Sequence, residues 1–182
     1  MQMCPQVSRS GARAVVLTDV QRELTSFYKC EVSADAPLFH TDVKSALMLV
    51  VDVPQDVPLI TVEKLRYSLD EPIAANCTSP ASFPAANLTW LINEMQVSSS
   101  GSWILDAGTS AGGALETAVS ELRIPSPVFR DGRLTLKCRA SLYKLYTRVA
   151  DVTLSLEQES HDASPWPPAS VRHHDAADAA RA

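Results

Sequence analysis

Gly132-Arg133-Leu134-Thr135-Leu136-Lys137-Cys138-Arg139-Ala140 is the stretch whose reading decides the fold. Leu134, Leu136 and Cys138 fall on one side of an extended chain, and Thr135, Lys137 and Arg139 on the other, because successive side chains of a strand point to opposite faces. This period of two marks a strand with one buried face. Asp131-Gly132 just before it is a tight-turn signal. Downstream, Val152, Leu154 and Leu156 alternate with Thr153 and Ser155 in the same way. Upstream, residues 73–78 and 88–93 read as strands, separated by Ser79-Pro80 and Phe83-Pro84. Residues 98–102 and 108–113 are small and polar, which predicts loops. Residues 109–123 are expected to form a strand, against a competing helical reading. Ala114, Ala118 and Leu122 at spacing four suit a helix, whereas Pro125, Pro127 and the flanking strands favour a strand. Many short strands punctuated by turns indicate an all-β sandwich or barrel.

Cys77, Trp90 and Cys138 sharpen this to an immunoglobulin-like β-sandwich. In that architecture a disulfide between the second and sixth strands bridges sheets about 10 Å apart, with a buried tryptophan beside it. Trp90 follows Cys77 by 13 residues, one strand plus one loop, and both fall on the inward phase of their strands. Cys77 and Cys138 are 61 residues apart. A crosslink closing that loop stabilises by about 4 kcal/mol on the chain-entropy model. The alternative is two buried free thiols and an ordinary core tryptophan. No CxxC pair and no histidine at ligand spacing accompanies the four cysteines, so no metal or other cofactor is expected.

Two N-glycosylation sequons, Asn76-Cys77-Thr78 and Asn87-Leu88-Thr89, agree with this phase. If Cys77 and Trp90 point inward, Asn76 and Asn87 point outward, where a glycan can stand. Oxidised cysteines and N-glycans imply an extracellular address.

The amino-terminal part carries a second, partial signature. Tyr28 stands two residues before Cys30, the spacing of a tyrosine corner on a sixth strand. Residues 15–20, 27–33 and 46–53 read as strands, with 44–53 returning against the Cys30 strand as a hairpin. Residues 15–53 are therefore expected to be the carboxy-terminal strands of a truncated first immunoglobulin-like domain, after a non-native or unstructured start at 1–14. Cys30 is expected to be unpaired, since 26 residues from Cys4 cannot hold the intervening strands. Residues 54–57 read as a proline-bearing linker, 58–157 as the second domain and 158–182 as a disordered tail.

The chain has 182 residues with 46% hydrophobic and 20% charged side chains, a globular composition. Its net charge of −5 argues against a nucleic-acid partner. No apolar run reaches the length of a membrane span. Enzymatic chemistry finds no support: His40 is isolated, His161, His173 and His174 lie in or beside the tail, and no GxSxG, Walker or HExxH motif occurs. Neither an enzyme nor a small-molecule substrate is expected.

The segments around Tyr28-Lys29-Cys30-Glu31-Val32, Asn76-Cys77-Thr78-Ser79, Asn87-Leu88-Thr89-Trp90-Leu91-Ile92-Asn93 and Leu134-Thr135-Leu136-Lys137-Cys138 resemble the beaten path family of insects and other arthropods. The resemblance implies two immunoglobulin domains, secretion or membrane anchoring, and a role in axon guidance through cell-surface receptors of the sidestep family. It further implies that Cys77 and Cys138 form the second-domain disulfide beside Trp90, and that Cys30 is half of a first-domain disulfide. Partner binding would use the later strands of the first domain, here Glu31 onward with the loop Ala34-Asp35-Ala36-Pro37-Leu38-Phe39-His40. The chain departs from the pattern at Leu136, where a tyrosine corner calls for Tyr. A structural spacer domain with no partner-binding face of its own is the alternative reading.

Overall fold

Alternation of burial along residues 133–142 organises the molecule: Leu134, Leu136, Cys138, Ala140 and Leu142 are buried, and the residues between them are not. The computed structural model describes residues 9–157. Its strands are β1 (Ser26–Ser33), β2 (Thr41–Met48), β3 (Leu59–Val62), β4 (Arg66–Tyr67), β5 (Ile73–Thr78), β6 (Asn87–Ile92), β7 (Met95–Val97), β8 (Gly101–Ser110), β9 (Gly113–Ile124), β10 (Arg133–Leu142) and β11 (Tyr146–Leu156). A short 3-10 turn, Arg22–Leu24, precedes β1.

Two sheets pack face to face. One runs β4-β11-β10-β6-β7 and the other β3-β5-β9-β8. Neighbours are antiparallel except β4, which lies parallel to β11. The core between them contains Tyr67, Ile73, Cys77, Trp90, Leu122, Leu134, Leu136, Cys138 and Leu154. A smaller cluster of Ala86, Ala140, Leu142 and Tyr146 closes one end, with Val51 and Val53 packed against it.

The strand favoured over a helix for residues 109–123 is what forms: β9 is a strand of twelve residues. Neighbouring strands on both sides fix it there, so local spacing of four loses to tertiary pairing. Other expectations need correction: of the loops expected at 98–102 and 108–113, residues 98–100 and 111–112 lie outside strands and 113 opens β9, but 101–102 and 108–110 belong to the edge strand β8. All but one of its residues are exposed, so no burial alternation marks it. Residues 15–20 form no strand, and β2 begins at Thr41 and ends at Met48, earlier than expected. Residues 9–14 include a turn closed by the backbone of Gly11 and Ala14.

Residues 54–57, the expected proline-bearing linker, are anchored at both ends. Pro54 and Pro58 are buried, Asp52 and Phe83 exchange backbone hydrogen bonds of 2.8 and 3.0 Å, and the Tyr146 hydroxyl donates to the Asp56 carbonyl. The expectations for Cys4, His161, His173, His174 and residues 158–182 fall outside the described residues.

Candidate functional site

At the centre of the sandwich two cross-links stand side by side. Cys138 and Trp90 are directly paired on β10 and β6, while Cys77 and Ser120 are directly paired on β5 and β9 of the other sheet. The Cys77–Cys138 disulfide joins the sheets covalently across a Cα separation of 6.4 Å. Beside it Trp90 Nε1 donates to Ser120 Oγ at 3.1 Å. Each sheet thus supplies one sulfur and one partner to the hydrogen bond. Both cysteines are 0% exposed and Trp90 is 1% exposed. A buried indole N–H needs an acceptor, and Ser120 is the residue that sequence reading missed. A serine in phase with Ala118 and Leu122 on the inward face of β9 is the signal that was available.

The sequon asparagines stand outside this core. Asn76 and Asn87 are both exposed and lie on outer faces of opposite sheets. The outer face of the five-stranded sheet is polar, with Thr135, Lys137, Arg139 and Ser141 on β10 facing Thr153, Asp151, Val149 and Thr147 on β11. Lys137 pairs with Glu94, whose carboxylate holds the ammonium pKa above its ordinary value. Between the edges of β6 and β8 lies an open groove of about 600 Å³ lined by Ala86, Asn87, Leu88, Ser102, Ile104 and Ser120 among others. Its lining carries serines and apolar side chains and no titratable group.

β1 and β2 form a separate two-stranded sheet, and every residue of β1 is exposed. Cys30 is a free, exposed thiol at the middle of β1. The Tyr28 hydroxyl donates to the Leu24 carbonyl at 2.9 Å, the backbone contact of a tyrosine corner. Between the strands, Ala34, Asp35, Ala36, Pro37, Leu38, Phe39 and His40 form a loop closed by the Ala34 N–H on the His40 carbonyl at 2.8 Å. The Asp35 carbonyl accepts the N–H groups of Leu38 and Phe39. Both side chains are 78% exposed, and Phe39 sits at φ 41°, a conformation bulky residues rarely adopt. The loop therefore displays two apolar side chains to solvent.

A junction that the sequence did not announce ties this hairpin to the sandwich. The Arg22 guanidinium donates to the Asp52 carboxylate and to the Ala114 carbonyl, and its carbon lies 4.3 Å above the Phe83 ring. Its side chain is only 10% exposed. Planarity lets one guanidinium stack and donate at once. The three partners come from segments far apart in sequence, which is why no local pattern reveals them.

Strands ordered β3-β5-β9-β8 against β4-β11-β10-β6-β7, with the β5–β10 disulfide and the β6 tryptophan, define an immunoglobulin-like sandwich. No protein-family model matches the chain, and no curated protein matches it. Among solved structures the chain is similar to Rst D1-D2, at 18% identity over 76% of this chain and 66% of that one, with a TM-score of 0.47. It is similar to the full ectodomain (Ig1-Ig3) of mouse nectin-like molecule 4, at 19% identity over 77% and 45%, with a TM-score of 0.49. A chicken TCR matches at 14% identity over 75% and 64%, with a TM-score of 0.38. The chain spans between 45% and 66% of the length of these structures. At such scores the fold rests on the chain's own strand order and disulfide. Among the described residues no helix is long and apolar enough to cross a membrane.

Proposed function

We propose that the chain belongs to an extracellular adhesion-type immunoglobulin protein, secreted or tethered to the plasma membrane, that binds a cell-surface immunoglobulin receptor of sidestep type, as the beaten path family it resembles does. The observation that carries the extracellular part is the buried Cys77–Cys138 disulfide with both sequon asparagines on outer faces. Thiols held in that state belong to oxidising compartments. The finer identity is supported by the family-like segments around Cys30, Cys77, Trp90 and Cys138. β1 and β2 are, in this reading, the last strands of an amino-terminal immunoglobulin-like domain, and the loop Ala34 to His40 is part of its binding surface. The chain is no enzyme in this reading, and it takes neither nucleic acid nor small-molecule substrate.

Binding of the secreted protein to a panel of sidestep-type ectodomains tests the proposal. Saturable binding that weakens at least tenfold on Leu38→Asp with Phe39→Asp supports it; no saturable binding to any ectodomain contradicts it. A spacer role for the β3–β11 sandwich is favoured by one observation: the loop Ala34 to His40, which the family resemblance implies as partner-binding, lies on the hairpin, not on the sandwich. Replacing the sandwich by an unrelated immunoglobulin domain leaves affinity unchanged in the spacer reading and lowers it otherwise.

A further inference from the structure

We infer that the glycan core attached at Asn76 lies along the outer face of the β3-β5-β9-β8 sheet and stacks on Trp103, so that the protein's own carbohydrate covers this face. The inference rests on the extracellular address proposed above. Register supplies the geometry. Asn76 on β5 pairs with Glu121 on β9, and Glu121 pairs with Gly101 on β8. Paired residues of antiparallel strands share a face, so these three form one row, opposite in phase to the inward Cys77 and Ser120. The next row on the same face is Thr78, Val119 and Trp103, and Thr78 is the sequon threonine. From Asn76 to Gly101 is two strand spacings, about 10 Å, a reach that two linked N-acetylglucosamine rings cover.

Gly101 leaves the end of the row without a side chain, and Trp103 leans toward it. A Cβ built on Gly101 would lie 3.7 Å from Trp103 Cζ3 and 3.9 Å from Glu121 Oε2. The indole therefore reaches back along β8 into the row that starts at Asn76. Trp103 is 44% exposed, and Leu105, two residues further along the same face, is 48% exposed. A pyranose ring presents C–H groups that pack on the electron-rich face of an aromatic ring, and N-acetyl and hydroxyl donors that need acceptors. Glu121 stands between the attachment point and the indole. Its Oε1 accepts from Arg123 Nε at 2.8 Å, and its Oε2 lies on the Gly101 side. Attachment point, acceptor and stacking platform thus share one sheet face on the adjacent strands β5, β9 and β8. Asn87's own row runs Asn87, Ser141, Thr147 and holds no aromatic side chain. Asn87 nevertheless borders the groove that Trp103 also lines, so a glycan there is the competing occupant of the indole. Cross-relaxation of Trp103 with the Asn87 rather than the Asn76 sugars overturns the inference.

The test uses the full chain secreted from eukaryotic cells with a uniform, isotope-labelled glycan. Mass spectrometry reads occupancy at Asn76 and Asn87, and NMR reads the N-acetyl methyl protons. The expected result is an upfield shift of the Asn76 methyl signals relative to those on Asn87, with cross-relaxation to the Trp103 indole. Trp103→Ala should remove the shift and leave occupancy unchanged. On the folded wild-type chain, enzymatic removal of the glycan should raise the oxidation rate of Trp103 severalfold. Full occupancy without a shift, a shift that survives Trp103→Ala, or an unchanged oxidation rate overturns the inference. So does a protein partner whose footprint protects Trp103 in the glycosylated chain. A secreted, disulfide-bonded chain with no glycan at Asn76 overturns it and leaves the extracellular address standing. A chain retained in the cell with Cys77 and Cys138 reduced overturns both.

Discussion

The β1–β2 hairpin and the β10–β6 strand pair are built from the same kind of material and end in opposite environments. Each contains a cysteine with a tyrosine or tryptophan close by, and each is paired along its length with an antiparallel neighbour. Cys30 is nevertheless exposed and free, with Phe27 70% exposed on the same strand, while Cys138 and Trp90 are sealed. Pairing engages one edge of the main chain; only a second sheet across the face removes the side chains from water. A two-stranded ribbon alone buries too little apolar area to offset the entropy of ordering it. Arg22 holds the start of this ribbon to the sandwich end through Asp52, Ala114 and Phe83, and that contact does not cover β1.

The largest expected effect in this comparison is on the disulfide. Replacing Cys77 and Cys138 together with Ala is expected to lower stability by about 4 kcal/mol, the loop-closure value for 61 residues, seen as a lower urea midpoint with the far-ultraviolet strand signal retained in native buffer. Ser120→Ala comes next. It leaves the Trp90 N–H buried without an acceptor and is expected to cost about 1–3 kcal/mol in the same titration; a neutral result would mean that the second cross-link contributes nothing.

A smaller effect belongs to the surface pair Lys64 and Glu71, 2.7 Å apart. The Lys64 ammonium, then the Ser68 N–H, hold the Glu71 carboxyl below its ordinary pKa, while Glu71 raises Lys64. Glu71's contribution is present above the unfolded carboxylate range and lost as pH falls through its depressed folded value, below about pH 4. Lys64's contribution is complete below the unfolded amine range and lost as pH rises through its raised folded value, above about pH 10. Lys64→Met should therefore flatten both limbs of a plot of melting temperature against pH. The smallest effect is on the hairpin: Cys30→Ser and Phe27→Ser in this chain should each change stability by less than about 0.5 kcal/mol, as for exposed positions. A cost typical of a core position would show that something covers β1 and would break the comparison.

How much the sequence disclosed follows the same division. β10 was legible because one face is buried along its whole length, so Leu134, Leu136, Cys138 and Ala140 write a period of two. Cys77 and Trp90 were legible for the same reason, and from them the outward phase of Asn76 and Asn87. β8 was illegible because an edge strand with exposed residues needs no alternation, and Gly101, Ser102, Gly108 and Ser110 read as loop chemistry. β2 was misplaced because an exposed ribbon leaves register to pairing alone; Asp42 and Lys44 sit in it without penalty. Ser120 and Arg22 act through partners distant in sequence, where local periodicity carries no information.

Disulfide mapping of the secreted chain tests the central claim most directly: alkylate under denaturing, non-reducing conditions, digest, and identify linked peptides by mass. The account predicts one peptide pair joined through Cys77 and Cys138, with Cys30 carrying the alkyl label. Alkylated Cys77 and Cys138, or either one joined to Cys30, would contradict it.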